Sequence, residues 1–435
     1  MTDRTTRREF LKTAAGAAAV AGSTTLLDGC AVAAGPAAAA GVPPTPPRVA
    51  DAVNVAVIGT GGMGSGHMNA YLKFAKDGAE QVRVVGLCDV CQPRLDVAKA
   101  RTDAQQGGSV DLYSDYRELL KRPDLHGVVI ASPEHWHGPM AEDAIRAGKD
   151  VYVEKPMTLR LDAALRLKEV ADANPNVRVQ VGTQYVMYSS YIEASRMIAA
   201  GKIGKAVSSQ TSYCRNSKDG EWLYYAIDPA WQPGVNLDWD RWCGPLGRAD
   251  WDPAVYARWR RYRKYSTGII GDLLVHRITP LIMGANLGWP TRVVASGGHY
   301  VDKVMENHDQ VNINIEFENE HTMIVAGSTA NEVGLETLIR GHKGNIYLGG
   351  RTLTVRPERL FAEEFDEETI DGPNEGDTQD MLRRNWLNSI RTREPVASPV
   401  ELGTKVMVIV DLATRSMWDG AAYLFDPATK TVRKA

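Results

Sequence analysis

The sequence predicts an α/β protein in two parts: an N-terminal doubly wound parallel sheet, then a C-terminal α+β domain on an open, mostly antiparallel sheet. Three observations carry this. From residue 53 to about 180, short apolar runs alternate with helix-length amphipathic segments, the pattern of βα units around a parallel sheet. Later segments alternate apolar with polar residues, as in Val311-Asn-Ile-Asn-Ile-Glu-Phe317, which suits strands with one covered face. The chain has 435 residues, 44% apolar and 24% charged, enough for two or three globular domains. Its 50 basic and 53 acidic residues leave a net charge of −3, so no nucleic-acid partner is expected.

Residues 6–12 read Thr-Arg-Arg-Glu-Phe-Leu-Lys and lead into a mild Ala/Gly-rich run, Thr13 to Leu27. That run is too short and too weakly apolar for a membrane span. The Arg7-Arg8 pair followed by Phe10-Leu11-Lys12 resembles a twin-arginine signal, so residues 1–35 are read as a signal peptide exporting a folded protein. Leu27-Asp28-Gly29-Cys30 resembles an imperfect lipobox. A lipid anchor at Cys30 and cleavage further on both remain open, giving a membrane-tethered or a free periplasmic product. Residues 36–52, rich in Ala and Pro, read as a linker or arm. Cys88 and Cys91 form a C-x-x-C with no second pair at zinc spacing, so they are read as structural thiols and no metal is expected.

The first domain is placed at 53–180. The apolar run Asn54 to Ile58 is of strand length and enters Gly59-Thr60-Gly61-Gly62-Met63-Gly64, followed by a helix with Met68, Tyr71, Leu72 and Ala75 on one face. Strand, G-x-G-x-x-G and helix together form a dinucleotide-binding fingerprint of Rossmann type. The glycines allow a tight turn and close approach of a pyrophosphate, and the helix N-terminus supplies amide donors. A second strand, Val82 to Leu87, leads to Asp89, 25 positions past Gly64. A carboxylate there accepts from a ribose diol and repels a 2′-phosphate, so NAD is expected rather than NADP, with Arg94 moderating that preference. Tyr113 to Leu120 reads as a short helix, Gly127 to Ala131 as a buried strand, Met140 to Ala147 as a helix and Asp150 to Glu154 as a strand. Ligands bind at the carboxyl ends of such strands, which brings Ser132, His135, His137, Glu154 and Lys155 to the cofactor.

Four features now resemble the Gfo/Idh/MocA family, the group of glucose–fructose oxidoreductase and inositol dehydrogenase. They are Gly59–Gly64 after the first strand, Ser132-Pro-x-x-x-His137, Glu154-Lys155-Pro156, and Asp272-x-x-x-His276. The resemblance runs from about Val53 to Trp418. It implies that Lys155, Asp272 and His276 act on a sugar or cyclitol carbinol, with a cis bond at Pro156 aiming the lysine. These roles are physically sensible: His276 suits a base near neutral pH, Lys155 can steady alkoxide charge, and Asp272, one helical turn away, can orient the ring or meet a hydroxyl. His137 is expected beside the nicotinamide ribose and His135 in a structural role. Two departures stand out: Arg277-Ile-Thr279 follows His276 where the family often has His-x-x-Asp, and Tyr265-Ser-Thr-Gly-Ile-Ile-Gly271 precedes the Asp. Arg277 is read as an ion-pair partner, with an acidic sugar as the other reading.

The second domain, 181–435, is read as substrate-binding and oligomer-forming. After Val179 to Gln184 comes a helix, Tyr191 to Ala200. Strands follow at Ala206–Tyr213, Arg292–Ser296, Val311–Phe317, Thr322–Gly327, Glu336–Arg340 and Asn345–Leu348, then helices at Thr378–Arg391 and Leu402–Trp418. Trp222, Trp231, Trp239, Trp242, Trp251 and Trp259 crowd one insert, suited either to walling a sugar site or to packing over the sheet. Three functions are weighed. The first is an NAD(P)-dependent oxidoreductase on a sugar, sugar derivative or cyclitol, with tightly bound, internally recycled cofactor. The second is an NAD-dependent, redox-neutral glycoside hydrolase, for which Tyr185, Tyr188 or Tyr191 offers an extra acid or base. The third is a non-catalytic sugar-binding protein. A homo-oligomer through the C-terminal sheet is expected.

Overall fold

The computed structural model describes residues 52–374 and 376–435. The expected signal peptide, Cys30 and the expected arm up to residue 51 lie outside the described residues. Two sheets organise the rest.

The first sheet holds β1 (Val53–Ile58), β2 (Val82–Cys88), β3 (Asp111–Tyr113), β4 (Gly127–Ile130), β5 (Asp150–Val153) and β6 (Val179–Val181). Their order is β3-β2-β1-β4-β5-β6, all parallel. The order reverses between β2 and β4 around β1, which opens a crevice at the strand carboxyl ends. Helices α1 (Gly62–Lys76), α2 (Gln92–Gln106), α3 (Tyr116–Leu120), α4 (Glu134–Arg146) and α5 (Leu161–Asp172) fill the crossovers, and α6 (Ser189–Ala199) leads onward. Strand alternation decides which core each side chain joins. Ala56, Ile58, Val128 and Ile130 join the core that runs on into the second domain. Val55, Val57, Val129 and Tyr152 join the other, which Leu382, Trp386, Leu387 and Ile390 complete.

Several local expectations change. Tyr113 ends a strand, and the helix begins only at Tyr116, because the Asp115 side chain accepts from the Arg117 amide and caps it there. The helix expected from Met140 begins at Glu134, directly after Pro133, so His135 and His137 ride its first turns. On α1, Met68, Tyr71 and Leu72 are buried as expected, but Phe74 takes the buried place expected of Ala75.

The second sheet holds β7 (Ala206–Cys214), β8 (Pro290–Gly298), β9 (Gln310–Phe317), β10 (His321–Ser328), β11 (Leu338–Gly341), β12 (Gly344–Gly349), β13 (Thr352–Pro357), β14 (Glu368–Asp371), β15 (Tyr423–Asp426) and β16 (Thr431–Lys434). Its order is β14-β13-β12-β11-β7-β10-β9-β8-β15-β16, antiparallel except for the β7–β10 pair. The last two strands at each edge, β13 and β14, β15 and β16, are absent from the sequence reading. They are short, and segments such as Glu368-Thr-Ile-Asp371 carry little apolar signal. On β9 the expected alternation is present: Val311, Ile313, Ile315 and Phe317 are buried while Asn312, Asn314 and Glu316 are exposed.

The remaining helices are α7 (Trp239–Cys243), α8 (Pro253–Ala257), α9 (Val275–Gly284), α10 (Thr378–Thr392) and α11 (Val400–Asp419). Helix α10 supplies the Trp386 side of the first sheet's core, and Arg393 just beyond it pairs with buried Asp150 at 2.7 Å. Helix α11 packs between β8 and α5 and so ties the two sheets together. Trp222 of the tryptophan-rich insert joins the core of the second sheet, but the rest of the insert packs elsewhere. Trp239 and Trp242 stack at 4.6 Å and form a core with Cys91, Cys243 and Tyr256 against the first domain. Backbone bonds from Gln92 to Asn236 (2.8 Å) and from Asp238 to Val90 (2.9 Å) fasten it there. Cys88 and Cys91 are buried free thiols.

Candidate active site

The crevice after β1 is shaped by glycines. Gly59 has φ +88°, and a Cβ there would lie 2.8 Å from the Ala131 carbonyl and the Ser132 amide. A Cβ on Gly64 would lie 1.7 Å from the Gly59 carbonyl oxygen, so α1 can approach β1 only with glycine at 64. Gly64→Ala is expected to cost roughly 1 to 3 kcal/mol through forced backbone separation and to weaken dinucleotide binding. Thermal unfolding and NAD titration check this, and an unchanged melting point with full NAD affinity would refute it.

Asp89 stands at the tip of β2. Its Oδ2 accepts from the Thr60 amide (2.7 Å) and hydroxyl (3.0 Å), and its Oδ1 from the Cys91 amide (3.0 Å). These bonds aim the carboxylate while leaving Oδ1 room for another donor. Arg94 lies beside Gly61, stacked on Trp231 (5.1 Å) and Tyr256 (4.7 Å) of the insert. One cleft is lined by Gly59, Gly61, Gly62, Met63, Asp89, Arg94, Ser132, His137, Glu154 and Lys155. Thr60 and Gly64, also expected at the cofactor, support it from behind. A turn that only glycines can make, a helix N-terminus and a hydrogen-bonded acid on the next strand fit a dinucleotide.

Glu154 is buried at the end of β5. Its Oε1 lies 2.8 Å from His67 Nε2, while His67 Nδ1 accepts from Arg383 Nε at 3.0 Å. With Nδ1 accepting, Nε2 carries the proton and donates to the carboxylate. Burial disfavours the Glu154 charge, but the His67 bond and the neighbouring Lys155 charge together outweigh it and hold the carboxyl down at about 2. Burial lowers His67 in turn, keeping the ring neutral. His137 Nδ1 lies 2.7 Å from the Pro156 carbonyl oxygen and Nε2 2.8 Å from that of Ser132; burial lowers the ring's pKa, and the neutral ring donates to one of the two. The Lys155–Pro156 peptide is cis. His135 is buried and bonds the Trp242 carbonyl at 2.7 Å, a structural role.

Lys155 Nζ donates to the Asp272 backbone oxygen (2.8 Å) and to Asp272 Oδ1 (3.0 Å). The same Oδ1 accepts from Arg260 Nε at 2.9 Å. Burial opposes ionisation of Asp272, yet the two cations outweigh it and hold the carboxyl well below its usual range. Asp272 does not orient His276 as the sequence reading offered. Residues Ile270–Leu274 form a π-helical turn before α9, so residues four apart no longer stack, and the carboxylate is engaged by Lys155 and Arg260. His276 lies among Tyr185 (5.7 Å between rings) and Tyr213 (6.2 Å), and its Nδ1 has no hydrogen-bond partner among the described residues. Burial and the Lys155 charge push the ring down to about 3. Lys155 and Arg260 belong to the cleft wall; Asp272 lies behind them and His276 to one side. Among the described residues Arg277 pairs with no carboxylate, so the expected ion pair is absent. It packs on the rings of Tyr185 (5.1 Å) and Tyr213 (5.6 Å).

The sequence reading missed Arg260 and Glu134. Arg260 sits in the run Arg258-Trp-Arg-Arg261, which reads as a solvated face. Glu134 is buried, accepts from the Ser266 hydroxyl (2.6 Å) and the Thr267 amide (3.2 Å), and anchors the segment leading to Asp272. Burial pushes its carboxyl up to about 7.

Residues 53–183 match the family model described as the oxidoreductase family's NAD-binding Rossmann fold, and residues 246–424 match its C-terminal α/β domain. The chain belongs to the Gfo/Idh/MocA family. Among curated relatives, a glycosyl hydrolase family 109 protein of Shewanella pealeana is 30% identical over 241 residues, 50% of each chain. Inositol 2-dehydrogenase 2 of Saccharopolyspora erythraea is 33% identical over 155 residues, 36% of this chain and 43% of that protein. This member thus matches half or less of the length of each. Levoglucosan dehydrogenase, solved with NADH, superposes with a TM-score of 0.64 at 19% identity, covering 88% of this chain and 99% of that one. Scyllo-inositol dehydrogenase of Lactobacillus casei gives 0.62 at 18% identity, covering 86% and 98%. At these identities the likeness shows the shared fold.

Proposed function

We propose that this family member oxidises a ring hydroxyl of a sugar, sugar derivative or cyclitol, with NAD as its dinucleotide. The observation that carries this reading is Lys155 Nζ at the inner end of the glycine-shaped cleft, fixed by Asp272. Gly61, Gly62 and the α1 amides would hold the pyrophosphate, and Asp89 would accept from the ribose diol and disfavour a 2′-phosphate. Bound NAD would supply the hydride acceptor. Lys155 donates a hydrogen bond to the hydroxyl oxygen and steadies its negative charge. His276, neutral across ordinary pH, takes the proton, and Asp272 keeps Lys155 in place. The dehydrogenase names among the relatives support the substrate class. The twin-arginine pattern supports action after export, where a retained and internally recycled cofactor is an advantage.

A redox-neutral glycosidase is the second reading. Tyr185 beside His276 supports it, because burial raises its phenol and keeps it protonated, as an extra acid for elimination. The glycosyl hydrolase family 109 relatives point the same way. Purified protein loaded with NAD and given free sugars, cyclitols and aryl glycosides separates the two. Nicotinamide reduction without aglycone release is expected; aglycone release without net reduction establishes the glycosidase, and neither signal overturns both.

A further inference from the structure

Two cations stand side by side at the catalytic end of the cleft. Lys155 and Arg260 both face it, and one carboxylate, Asp272, serves both. Glu154 is committed to His67 and the Lys155 amide. Glu134 is committed to Ser266 and Thr267, behind the wall.

Arg260 itself is only partly used. Its Nε is spent on Asp272, and its backbone oxygen accepts from Asn307. Its Nη1 and Nη2 have no hydrogen-bond acceptor among the described residues, and neither is a sealed, orphaned donor. The side chain is 18% exposed and lines the cleft beside Lys155. Trp259 packs on the guanidinium at 4.2 Å, and Tyr225 lies 5.7 Å away. The Asp272 bond at Nε and these rings hold the guanidinium in place, leaving its two Nη groups as paired donors without an acceptor among the described residues. Paired Nη donors match a carboxylate, and a preoriented fork loses little entropy on binding one. Tyr225 and Trp259 also line the cleft, offering apolar faces of the kind that suit a pyranose ring.

We infer that the substrate bears a carboxylate, held by the two Nη atoms of Arg260: a hexuronate or its glycoside. This rests on the proposed sugar-oxidising site and names its substrate class. Lys155 then meets the reacting hydroxyl while Arg260 holds the acid, so the two neighbouring cations fix the ring orientation. Arg277, lacking a carboxylate partner beside His276, adds to the attraction for an anion.

The test compares kcat/KM for a hexuronate, the matching hexose and the hexuronamide on the NAD-loaded protein, wild type and Arg260→Met. A charge-assisted pair is worth roughly 10- to 100-fold, so the wild type should favour the hexuronate by that factor and Arg260→Met should bring the ratio near one. Because the ratio is taken within each variant, general loss of activity does not affect it. Equal efficiency in the wild type, or an unchanged preference in Arg260→Met, overturns the inference. If the variant does not fold, salt decides on the wild type: the hexuronate KM should rise between about 20 and 500 mM salt while the hexose KM stays flat. A flat hexuronate KM overturns the proposal. Absence of turnover with every sugar would reject the redox reading, but equilibrium binding followed by tryptophan fluorescence would still answer: tighter binding of hexuronate than hexose upholds the carboxylate site, and equal binding removes it.

Discussion

Lys155→Ala is expected to lower kcat by about 100- to 1,000-fold while leaving NAD affinity within about threefold. Loss of one preorganised donor to a developing oxyanion removes roughly 100- to 1,000-fold by itself. The same change removes one of the charges that hold His276 low, so the ring becomes the better proton acceptor, which offsets part of that loss without replacing the donor. Folding should survive, because Asp272 keeps Arg260 as a partner and loses only one of its two cations. The dinucleotide groups at Gly61, Gly62 and Asp89 lie at the other end of the cleft, so NAD binding is a separate readout. Steady-state kinetics with an NAD fluorescence titration check both halves. Full kcat in the variant would move the chemistry away from Lys155. Lost NAD affinity would make Lys155 a cofactor ligand rather than a catalytic group.

The parts of the site that could be read in advance are those where one residue type meets one backbone need. Gly59 and Gly64 are forced by a left-handed turn and by helix–strand contact, and such constraints show in spacing alone. Four of the six parallel strands, β1, β2, β4 and β5, are nearly continuous buried apolar runs that stand out in the sequence, whereas the short, half-exposed β3 does not. Lys155 and Asp272, 117 positions apart, were expected in one site, and the fold brings them to hydrogen-bond distance. What stayed hidden depends on geometry that no local pattern encodes. A π-helical turn changes which residues share a face, so the Asp272–His276 spacing suggested a contact that does not form. Arg260 becomes a cleft residue only because Asn307 and Asp272, from two other elements, position it. The tryptophan-rich insert gave composition but no address. Its place against β2 and α2 is set by backbone bonds at Val90 and Gln92. Edge strands such as β14 and β16 carry too few apolar residues to stand out.

Asp272→Ala should be the most destabilising single change in the site, by about 3 to 5 kcal/mol near pH 7, because it leaves Lys155 and Arg260 facing each other with no carboxylate between them. The effect has a defined pH dependence. The Asp272 carboxyl is held below the ordinary aspartate value near 3.9, so folding favours its ionised form. A depressed folded pKa contributes stability that is present above the unfolded value and lost as pH falls through the folded one. The stability gap between wild type and Asp272→Ala should therefore be full from about pH 5 upward and shrink progressively below about pH 4, where the unfolded chain takes up a proton that the folded Asp272 still excludes. Denaturant unfolding of both proteins at pH 7, 5 and 3 measures the gap directly. A gap under about 1 kcal/mol at pH 7 would mean that the two cations relax into solvent and that the carboxylate is not what holds them. A gap of full size at pH 3 would assign the loss to packing of the π-helical turn and not to charge. Asp272→Asn separates these further. It keeps an oxygen that can accept from Lys155 and Arg260 but removes the charge, so its stability should lie between the other two at pH 7, and its difference from Asp272→Ala should be nearly independent of pH.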